Sequence, residues 1–235
     1  MSSNEKVSEV VDALFAAGAH FGYSKTRRHP STAKYVYTTK NKVDIIDLEK
    51  VEVQLDKAMA FVKELSAKGK NVVFVGVKPE AKNAARSGAQ SIDMPFVCER
   101  WVGGVLTNWV EIKKRIAKLE DLKDKKEKGE LEKYTKKERL LIDEEVAKMD
   151  KLFSGLVSLK KTPDALFVID AKREHIAVTE AHKMHVPVIA LVNTDTNLKG
   201  IEYPILGNDG SVTSIAFFVN KIVEAYKAGH LTVQS

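Results

Sequence analysis

Cysteine is nearly absent from this chain, which contains Cys98 and no other. A single cysteine excludes an intrachain disulfide and a cysteine-based zinc ribbon, and its apolar surroundings predict a small buried core residue. A run of about eighteen apolar residues, which a membrane-spanning helix needs, does not occur. Residues 1–10 are polar and lack the apolar core of a signal peptide. These absences predict a cytosolic protein with no membrane contact.

The sequence also lacks the motifs of the common enzymes built on alternating strands and helices. It contains no Gly-x-Gly-x-x-Gly, no P-loop and no Gly-x-Ser-x-Gly, and the turn at residues 76–79 ends in Pro79, which has no amide to offer a phosphate. Asp170 follows an apolar run and could be a catalytic carboxylate, but Lys172 and Arg173 are adjacent ion-pair partners. We therefore predict no enzyme activity, no catalytic residue and no cofactor.

A metal site is a weaker alternative for the histidines near residue 180. His175, His182 and His185 are spaced seven and three residues apart, close to one face of a helix. A matching set of acidic or cysteine ligands is missing, and Lys172 and Arg173 raise the local positive potential. Surface histidines without a metal are the preferred interpretation.

Positive charge is in excess, with 38 Lys and Arg against 32 Asp and Glu, a net charge of +6 and a pI near 9.1. This surplus favours a polyanionic partner, but only local clustering can support it. Residues 20–34 form the densest cluster and are expected to be a loop without a compensating carboxylate. Its cations are Lys25, Arg27, Arg28, His29 and Lys34, and Phe21, Tyr23 and Tyr35 flank them. Cations mixed with aromatic rings suit phosphate contacts and base stacking, although an ordinary solvated loop remains open.

Strands alternate with helices along most of the chain. Apolar strands are predicted at 72–77, 96–98, 165–169 and 188–192, and helices at 7–17, 47–69, from Pro79, 175–185 and 211–228. A β-hairpin is predicted at 35–38 and 43–47. The first helix is expected to bury Val7, Val10, Val11, Leu14 and Phe15. This alternation predicts a doubly wound parallel α/β sheet with about five strands.

A charge-dense segment interrupts this pattern after Arg100. Apolar residues recur at steps of three and four before and after Lys128-Gly129-Glu130, and Thr135 with Glu138 forms a capping box. The segment is predicted to be a helical hairpin with a coiled-coil seam. The predicted domains are therefore a discontinuous globular domain, 1–107 with 160–235, and a hairpin insertion, 108–159.

The entry to this hairpin contains two glycines and two tryptophans. Gly103 and Gly104 could form a phosphate-cradling turn, but a tight corner that directs the chain into the hairpin is preferred. Trp101 and Trp109 are expected to pack the base of the hairpin rather than to stack on bases.

Several motifs of the chain occur together in one known family. They are His20-Phe21-Gly22, Asn41 with Ile45-Ile46-Asp47-Leu48, Phe74-Val75-Gly76, the run from Arg100 through Trp101-Val102-Gly103-Gly104 to Asn108, Pro163 to Asp170, and Tyr203-Pro204-Ile205 with Gly207-Asn208-Asp209. With these motifs in this order, the chain resembles the bacterial small-subunit ribosomal protein S2 family over almost its whole length. The sequence differs from the family at Tyr23, usually histidine, and at Arg28-His29, usually Trp-Asn. The loop 193–199 is also less acidic than usual.

The resemblance implies a flavodoxin-like sheet with a protruding coiled-coil hairpin, in a structural constituent of the small (30S) ribosomal subunit in the cytoplasm. It implies binding to small-subunit rRNA and to neighbouring ribosomal proteins, and in many bacteria the anchoring of a large mRNA-binding ribosomal protein. The residues expected to contact RNA are Lys25, Arg27, Arg28, His29, Lys34, Tyr35, Arg100, Lys172 and Arg173. The alternatives are a nucleotide-binding or enzymatic domain on the same sheet, and a hairpin that serves only as a protein-binding arm.

Overall fold

A computed structural model describes the backbone of residues 3–231 and the side chains of residues 9–230. Its N-terminal part contains helix α1 (Ser3–Ala16) and strands β1 (Phe21–Ser24), β2 (Val36–Lys40) and β3 (Val43–Ile46). The three strands form an antiparallel sheet in the order β1-β3-β2. Strand β1 corrects the prediction that residues 20–34 are a loop throughout.

The predicted first helix and β-hairpin are both present. Helix α1 buries Leu14, but Phe15, which was expected on the buried side, is 62% exposed. The predicted burial of Val7 falls outside the described side chains. Strands β2 and β3 are joined by Asn41 and Lys42, which both have positive φ angles of 51° and 65°. A two-residue hairpin turn whose twist matches that of its strands requires positive φ at both central residues.

The main sheet has five parallel strands: β4 (Val72–Val75), β5 (Phe96–Val97), β6 (Ala165–Ile169), β7 (Val188–Val192) and β8 (Tyr203–Leu206). Their spatial order is β5-β4-β6-β7-β8. If the five strands are renumbered 1 to 5 along the chain, their spatial order is 2-1-3-4-5. This is the flavodoxin-like arrangement, and it confirms the predicted fold class. Strand β8 was missed because it is a short edge strand that contains Pro204, a residue that an edge tolerates.

Helices α2 (Leu48–Ala67), α3 (Pro79–Gln90), α4 (Trp109–Glu127), α5 (Lys136–Phe153), α6 (His175–Lys183) and α7 (Val212–Leu231) complete the fold. Helix α7 packs against α2 and α3. The right-handed crossovers from β4 and from β6 run in opposite directions, so α3 and α6 cover opposite faces of the sheet. Among the helices of residues 3–231, none is long and apolar enough to cross a membrane.

Helices α4 and α5 pack as an antiparallel hairpin. Gly129 adopts a left-handed conformation with φ of 72° at the turn. The predicted capping box is present, because the Glu138 amide donates to the Thr135 hydroxyl and the Thr135 amide donates to the Glu138 carboxylate. The coiled-coil geometry stays a prediction, as does the division into 1–107 with 160–235 and 108–159. The ends of that division, residues 1–2 and 232–235, lie outside the described residues.

Candidate nucleic-acid interface

The basic segment, which we define as residues 20–35, is attached to the loop that follows β7. Thr194 of that loop accepts hydrogen bonds at its carbonyl from the His29 amide at 2.9 Å and from the Thr32 hydroxyl at 2.7 Å. Its hydroxyl accepts from the Tyr23 amide at 3.0 Å. Thr32 and Thr194 are both fully buried. The backbone of the basic segment is therefore held at the carboxyl edge of the main sheet.

Close approach at Gly22 and a local turn support this attachment. A Cβ atom at Gly22 would lie 2.8 Å from the Thr194 methyl group and 2.9 Å from the Asp44 carbonyl, so a larger residue would push the two parts apart. Pro30 begins a short 3₁₀ turn, and the His29 ring nitrogen accepts from the Ser31 amide at 3.2 Å. The Ser31 hydroxyl in turn accepts from the Leu198 amide at 3.2 Å.

Exposed cations project from this fixed backbone. Lys25, Arg27 and Lys34 are exposed and form no ion pair within the described residues. The Arg27 guanidinium lies 6.0 Å from the centre of the Tyr23 ring, and the Lys34 ammonium lies 4.9 Å from that of Tyr35. Cations above aromatic rings keep their charge while the ring orients the side chain. The combination of cations and rings expected from the sequence is thus present in space.

Arg28 differs from the other cations of the segment and corrects one prediction. Its Nη1 atom lies 3.5 Å from Oδ1 of Asp44, whose side chain is fully buried. The same oxygen accepts from the Thr39 hydroxyl at 2.7 Å. A carboxylate therefore does compensate one cation, contrary to the sequence prediction. Removing Arg28 would leave a buried carboxylate without its counter-ion, so Arg28 helps to hold the fold.

Lys172 and Arg173 lie next to the basic segment, as a chain of contacts shows. The Lys172 ammonium lies 2.7 Å from Oδ2 of Asp195, which is the neighbour of Thr194 in the attachment loop. The Arg173 amide donates to the Asp170 carboxylate at 3.1 Å, while its exposed guanidinium forms no ion pair within residues 3–231. The predicted pairing of Asp170 with the Lys172 or Arg173 side chain is wrong, because Asp170 pairs with Lys78.

Lys78 is the centre of a polar cluster between the carboxyl ends of β4 and β6. Its ammonium lies 3.4 Å from Asp170, 3.3 Å from Asp209 and 3.4 Å from the Tyr23 hydroxyl. Asn193 donates to the second oxygen of Asp209 at 3.0 Å. Flavodoxin-like folds bind small ligands at this switch point. Here the polar groups at that place are paired with one another and attach β1 to the sheet.

Burial and the neighbouring charges together determine the pKa values of this cluster. Burial lowers the pKa of Lys78, but the carboxylates of Asp209 and Asp170 raise it by more, so its pKa is raised overall. Burial and the charge of Asp170 raise the pKa of Asp209. Burial and Asp209 raise the pKa of the Tyr23 hydroxyl. One ammonium facing two carboxylates leaves a net negative charge, so Lys78 stays protonated while Asp209 holds a proton more tightly than usual.

Arg100 and the three histidines are not part of this arrangement. Arg100 is exposed beyond β5, at the edge of the sheet opposite β8, and none of the contacts described joins it to the basic segment. His175, His182 and His185 are also exposed. In the described part of the chain, no group of three or more His, Cys, Asp or Glu is placed to hold a metal ion.

The two glycines after Arg100 form the preferred corner. Gly104 has a φ of 100°, and the Glu180 carboxylate of α6 accepts from the amides of Gly104 at 2.6 Å and Leu106 at 3.0 Å. It also accepts from the amide and the hydroxyl of Thr107, each at 3.3 Å. A protein carboxylate therefore occupies the amides that a phosphate would need. Trp101, 4% exposed, belongs to the buried core, and the half-buried Trp109 packs against that core.

Sequence reasoning missed Thr194, Lys78 and Asp44, which fix the interface. Asp44 lies two residues before the apolar Ile46 and therefore on the same face of β3, which is the one signal in the sequence of its burial. Thr194 and Lys78 follow apolar strands, so their place at the carboxyl edge was readable. Their partners were not, because those lie up to 171 residues away along the chain.

Comparison with known proteins agrees with this architecture. The family model described as ribosomal protein S2 matches residues 14–229. A protein named small ribosomal subunit protein uS2 from Helicobacter acinonychis is 38% identical over 94% of this chain and 90% of its own length. Proteins of the same name from Thermus thermophilus and Helicobacter pylori are also 38% identical, over 93% and 94% of this chain and 85% and 84% of theirs. The chain belongs to the ribosomal protein S2 family, whose members are structural constituents of the small ribosomal subunit and not enzymes.

Proposed function

We propose that this chain binds small-subunit rRNA through the basic segment together with the Lys172-Arg173 turn. The observation that carries the proposal is a backbone fixed by buried hydrogen bonds to Thr194, from which Lys25, Arg27 and Lys34 project with no counter-ion among the side chains of residues 9–230. A surface ordered before binding loses little conformational entropy when it meets its partner. A polyanion supplies the counter-charges that the surface lacks.

The residues of this surface have different roles in the proposal. Lys25, Arg27, Lys34 and the Arg173 guanidinium contact phosphates. The Lys172 ammonium, whose side chain is 57% exposed, has three N–H donors and contacts a phosphate while it remains paired with Asp195, which is 12% exposed.

Arg28, His29 and Tyr35 shape the same surface. Arg28 pairs with Asp44, the His29 ring accepts from Ser31, and the half-buried Tyr35 ring supports the Lys34 ammonium. Arg100 is a separate phosphate contact at the other edge of the sheet.

A salt titration tests the proposal. Binding of the full chain to small-subunit rRNA is measured at increasing salt for the natural chain and for the double variant Lys25→Ala/Arg27→Ala. We expect the slope of log affinity against log salt to fall by about 1.4 to 1.8, since each of the two lost phosphate contacts removes about 0.7 to 0.9. The matched control is Lys57→Ala/Lys63→Ala, two exposed lysines of α2. Equal slopes for the two double variants would contradict the assignment.

The same proposal includes an anchor for the large mRNA-binding ribosomal protein. The Phe15 ring stacks on His20 with centroids 4.4 Å apart, and His20 lies 4.1 Å from Phe21. Phe15 and Phe21 are 62% and 48% exposed, and exposed aromatic clusters of this kind favour a protein partner. We expect Phe15→Ser to weaken binding of that protein at least ten-fold without changing rRNA affinity. Unchanged partner affinity would remove the anchor from the proposal.

We also propose that the chain resides on cytoplasmic ribosomes. In a sucrose gradient of a cell extract, we expect the chain to sediment with small subunits at moderate salt and to leave them at high salt, because phosphate contacts are salt-sensitive. A peak confined to the free proteins at every salt concentration would contradict it.

A further inference from the structure

A second cationic surface lies where the hairpin leaves the sheet. This hairpin-root groove has a volume of about 640 Å³ and is lined by Trp109, Val110, Lys113, Lys114, Ala117, Lys160, Lys161 and Thr162. Its volume lies within the range of pockets that bind small organic molecules. The attachment of the basic segment at Thr194 uses none of these residues.

The local sequence explains why lysines line this groove. Ile112, Ile116 and Leu119 bury one face of α4, so Trp109, Lys113 and Ala117, at steps of four, lie together on a neighbouring face. The opposite wall is the short connection from α5 to β6. Leu159 and Pro163 are buried at its two ends, which leaves Lys160 and Lys161 exposed between them.

Positive charge predominates in the groove. Lys113 and Lys160 form no ion pair with any part of the chain that the structure describes. Lys114 pairs with Glu111 at 2.6 Å, and Lys161 pairs with Asp164 at 3.5 Å. The two paired lysine side chains are 68% and 66% exposed, so these pairs are weak and exchangeable. Four lysines face two carboxylates, and both walls are cationic.

An aromatic and apolar floor accompanies this charge. Trp109 is half-buried, and within residues 3–231 its indole N–H has no acceptor. Val110 is 67% exposed beside it. A half-buried tryptophan that lines a groove together with lysines suits a base stacked on its ring and flanking phosphates on the lysines, as in proteins that bind single strands. An acidic peptide would satisfy the lysines but would leave the ring and the indole N–H without a specific partner.

We propose that the hairpin-root groove is a second RNA-binding site, which takes an unpaired nucleotide with its base on Trp109 and its neighbouring phosphates on Lys113 and Lys160. The proposal rests on the rRNA-binding function proposed above and deepens it. It assigns to the hairpin root the recognition of single-stranded RNA, whereas the basic segment supplies phosphate contacts to rRNA.

Binding of a single-stranded RNA oligonucleotide to the full chain tests the groove, with a duplex of the same length as comparison. We expect Lys113→Ala/Lys160→Ala to weaken binding at least five-fold and to lower the salt slope by about 1.4, which is 0.7 for each single-strand phosphate contact. Lys136→Ala/Lys137→Ala, at exposed lysines of α5 on the same hairpin, is the matched control and should bind like the natural chain. Equal affinity of the two double variants would overturn the proposal.

Stacking is tested separately through Trp109. Trp109→Ala should weaken single-strand binding about ten-fold or more with an unchanged salt slope, whereas Trp109→Phe should retain most of the affinity because a ring remains. Circular dichroism and the melting temperature establish that each variant is folded. RNA should also quench the fluorescence of the natural chain, and Trp109→Phe should abolish this quenching because the other tryptophan, Trp101, is buried. Quenching that survives in Trp109→Phe would overturn the stacking.

Two further measurements test whether the groove binds RNA independently of the basic segment, and whether it binds RNA rather than an acidic protein. In Lys25→Ala/Arg27→Ala, the Trp109 quenching by single-stranded RNA should persist, and its loss would show that the groove is not an independent site. A polyglutamate peptide should displace the oligonucleotide only weakly. Displacement by this peptide at concentrations equal to those of the RNA would assign the groove to an acidic protein instead.

Discussion

The main sheet and the hairpin are stabilised in different ways. Every residue of β4, β6 and β7 is buried, and Phe74 and Phe167 pack edge to face with centroids 5.3 Å apart. In α5, by contrast, only Phe153 is buried, and charged pairs such as Lys118 with Glu145 join the two helices. Burial of apolar surface thus stabilises the sheet throughout, whereas the hairpin is stabilised by apolar burial in α4 and at its root, and its exposed ion pairs add only weak support that salt can screen.

The largest expected effect comes from deleting a buried ring of the sheet. Phe167→Ala should lower the free energy of unfolding by about 3 to 5 kcal/mol, because Phe167 is fully buried and its removal leaves a cavity. The matched hairpin variant Ile142→Ala, at a half-buried seam position, should cost about 1 kcal/mol. Urea unfolding followed by circular dichroism measures both values. Similar losses would remove the distinction between the two regions.

The next effect is expected at the junction of the two regions. Glu180→Ala should cost about 2 to 3 kcal/mol, because it leaves the amides of Gly104, Leu106 and Thr107 without their acceptor. Hydrogen exchange at these amides should accelerate, whereas exchange in β6 should change only through the global loss of stability. Glu180→Gln keeps one oxygen acceptor and should be intermediate. Unchanged exchange at the three amides in the alanine variant would show that the corner does not depend on this carboxylate.

A smaller effect should appear in the pH dependence of the unfolding free energy, through Cys98 directly after β5. Burial raises the pKa of the Cys98 thiol from 9.0 to about 11. The folded state therefore holds this proton more tightly than the unfolded state, so stability falls as pH rises above 9 and the loss levels off above 11. Between about pH 8 and 10 the natural chain should lose about 1 kcal/mol more than Cys98→Ala. Parallel stability curves for the two chains would contradict the shift.

The smallest effect is expected for an ion pair of the hairpin. Lys118→Ala removes the pair with Glu145, whose two side chains are 53% and 47% exposed, and should cost less than about 0.5 kcal/mol. In about 1 M salt the difference from the natural chain should disappear, because screening already weakens the pair. A cost that persists at high salt would indicate packing by the lysine stem. The loss caused by Phe167→Ala should change little with salt.

Local patterns allowed much of the fold to be predicted. The buried strands were predicted from continuous apolar runs, the helical hairpin from a periodicity of about 3.6, and the capping box from two residues three positions apart. Strand β8 was missed because it is an edge strand that contains Pro204, and strand β1 was missed because none of its residues is buried, so it lacks an apolar pattern. At the interface, the cations were readable, but the pairing of Arg28 with Asp44 and the attachment to Thr194 required the tertiary structure.

The Glu180 corner has a mechanical consequence for the hairpin. Helix α4 has 19 residues, so at 1.5 Å per residue the hairpin tip lies about 28 Å from the corner. A tilt of about 5° at the corner would displace the tip by roughly 2.5 Å over that length. Because α6 supplies the carboxylate, any shift of α6 relative to the sheet would be amplified at the tip. The carboxylate of Glu180 thus acts together with the buried residues of the hairpin root, such as Ile112 and Phe153, to orient a long arm.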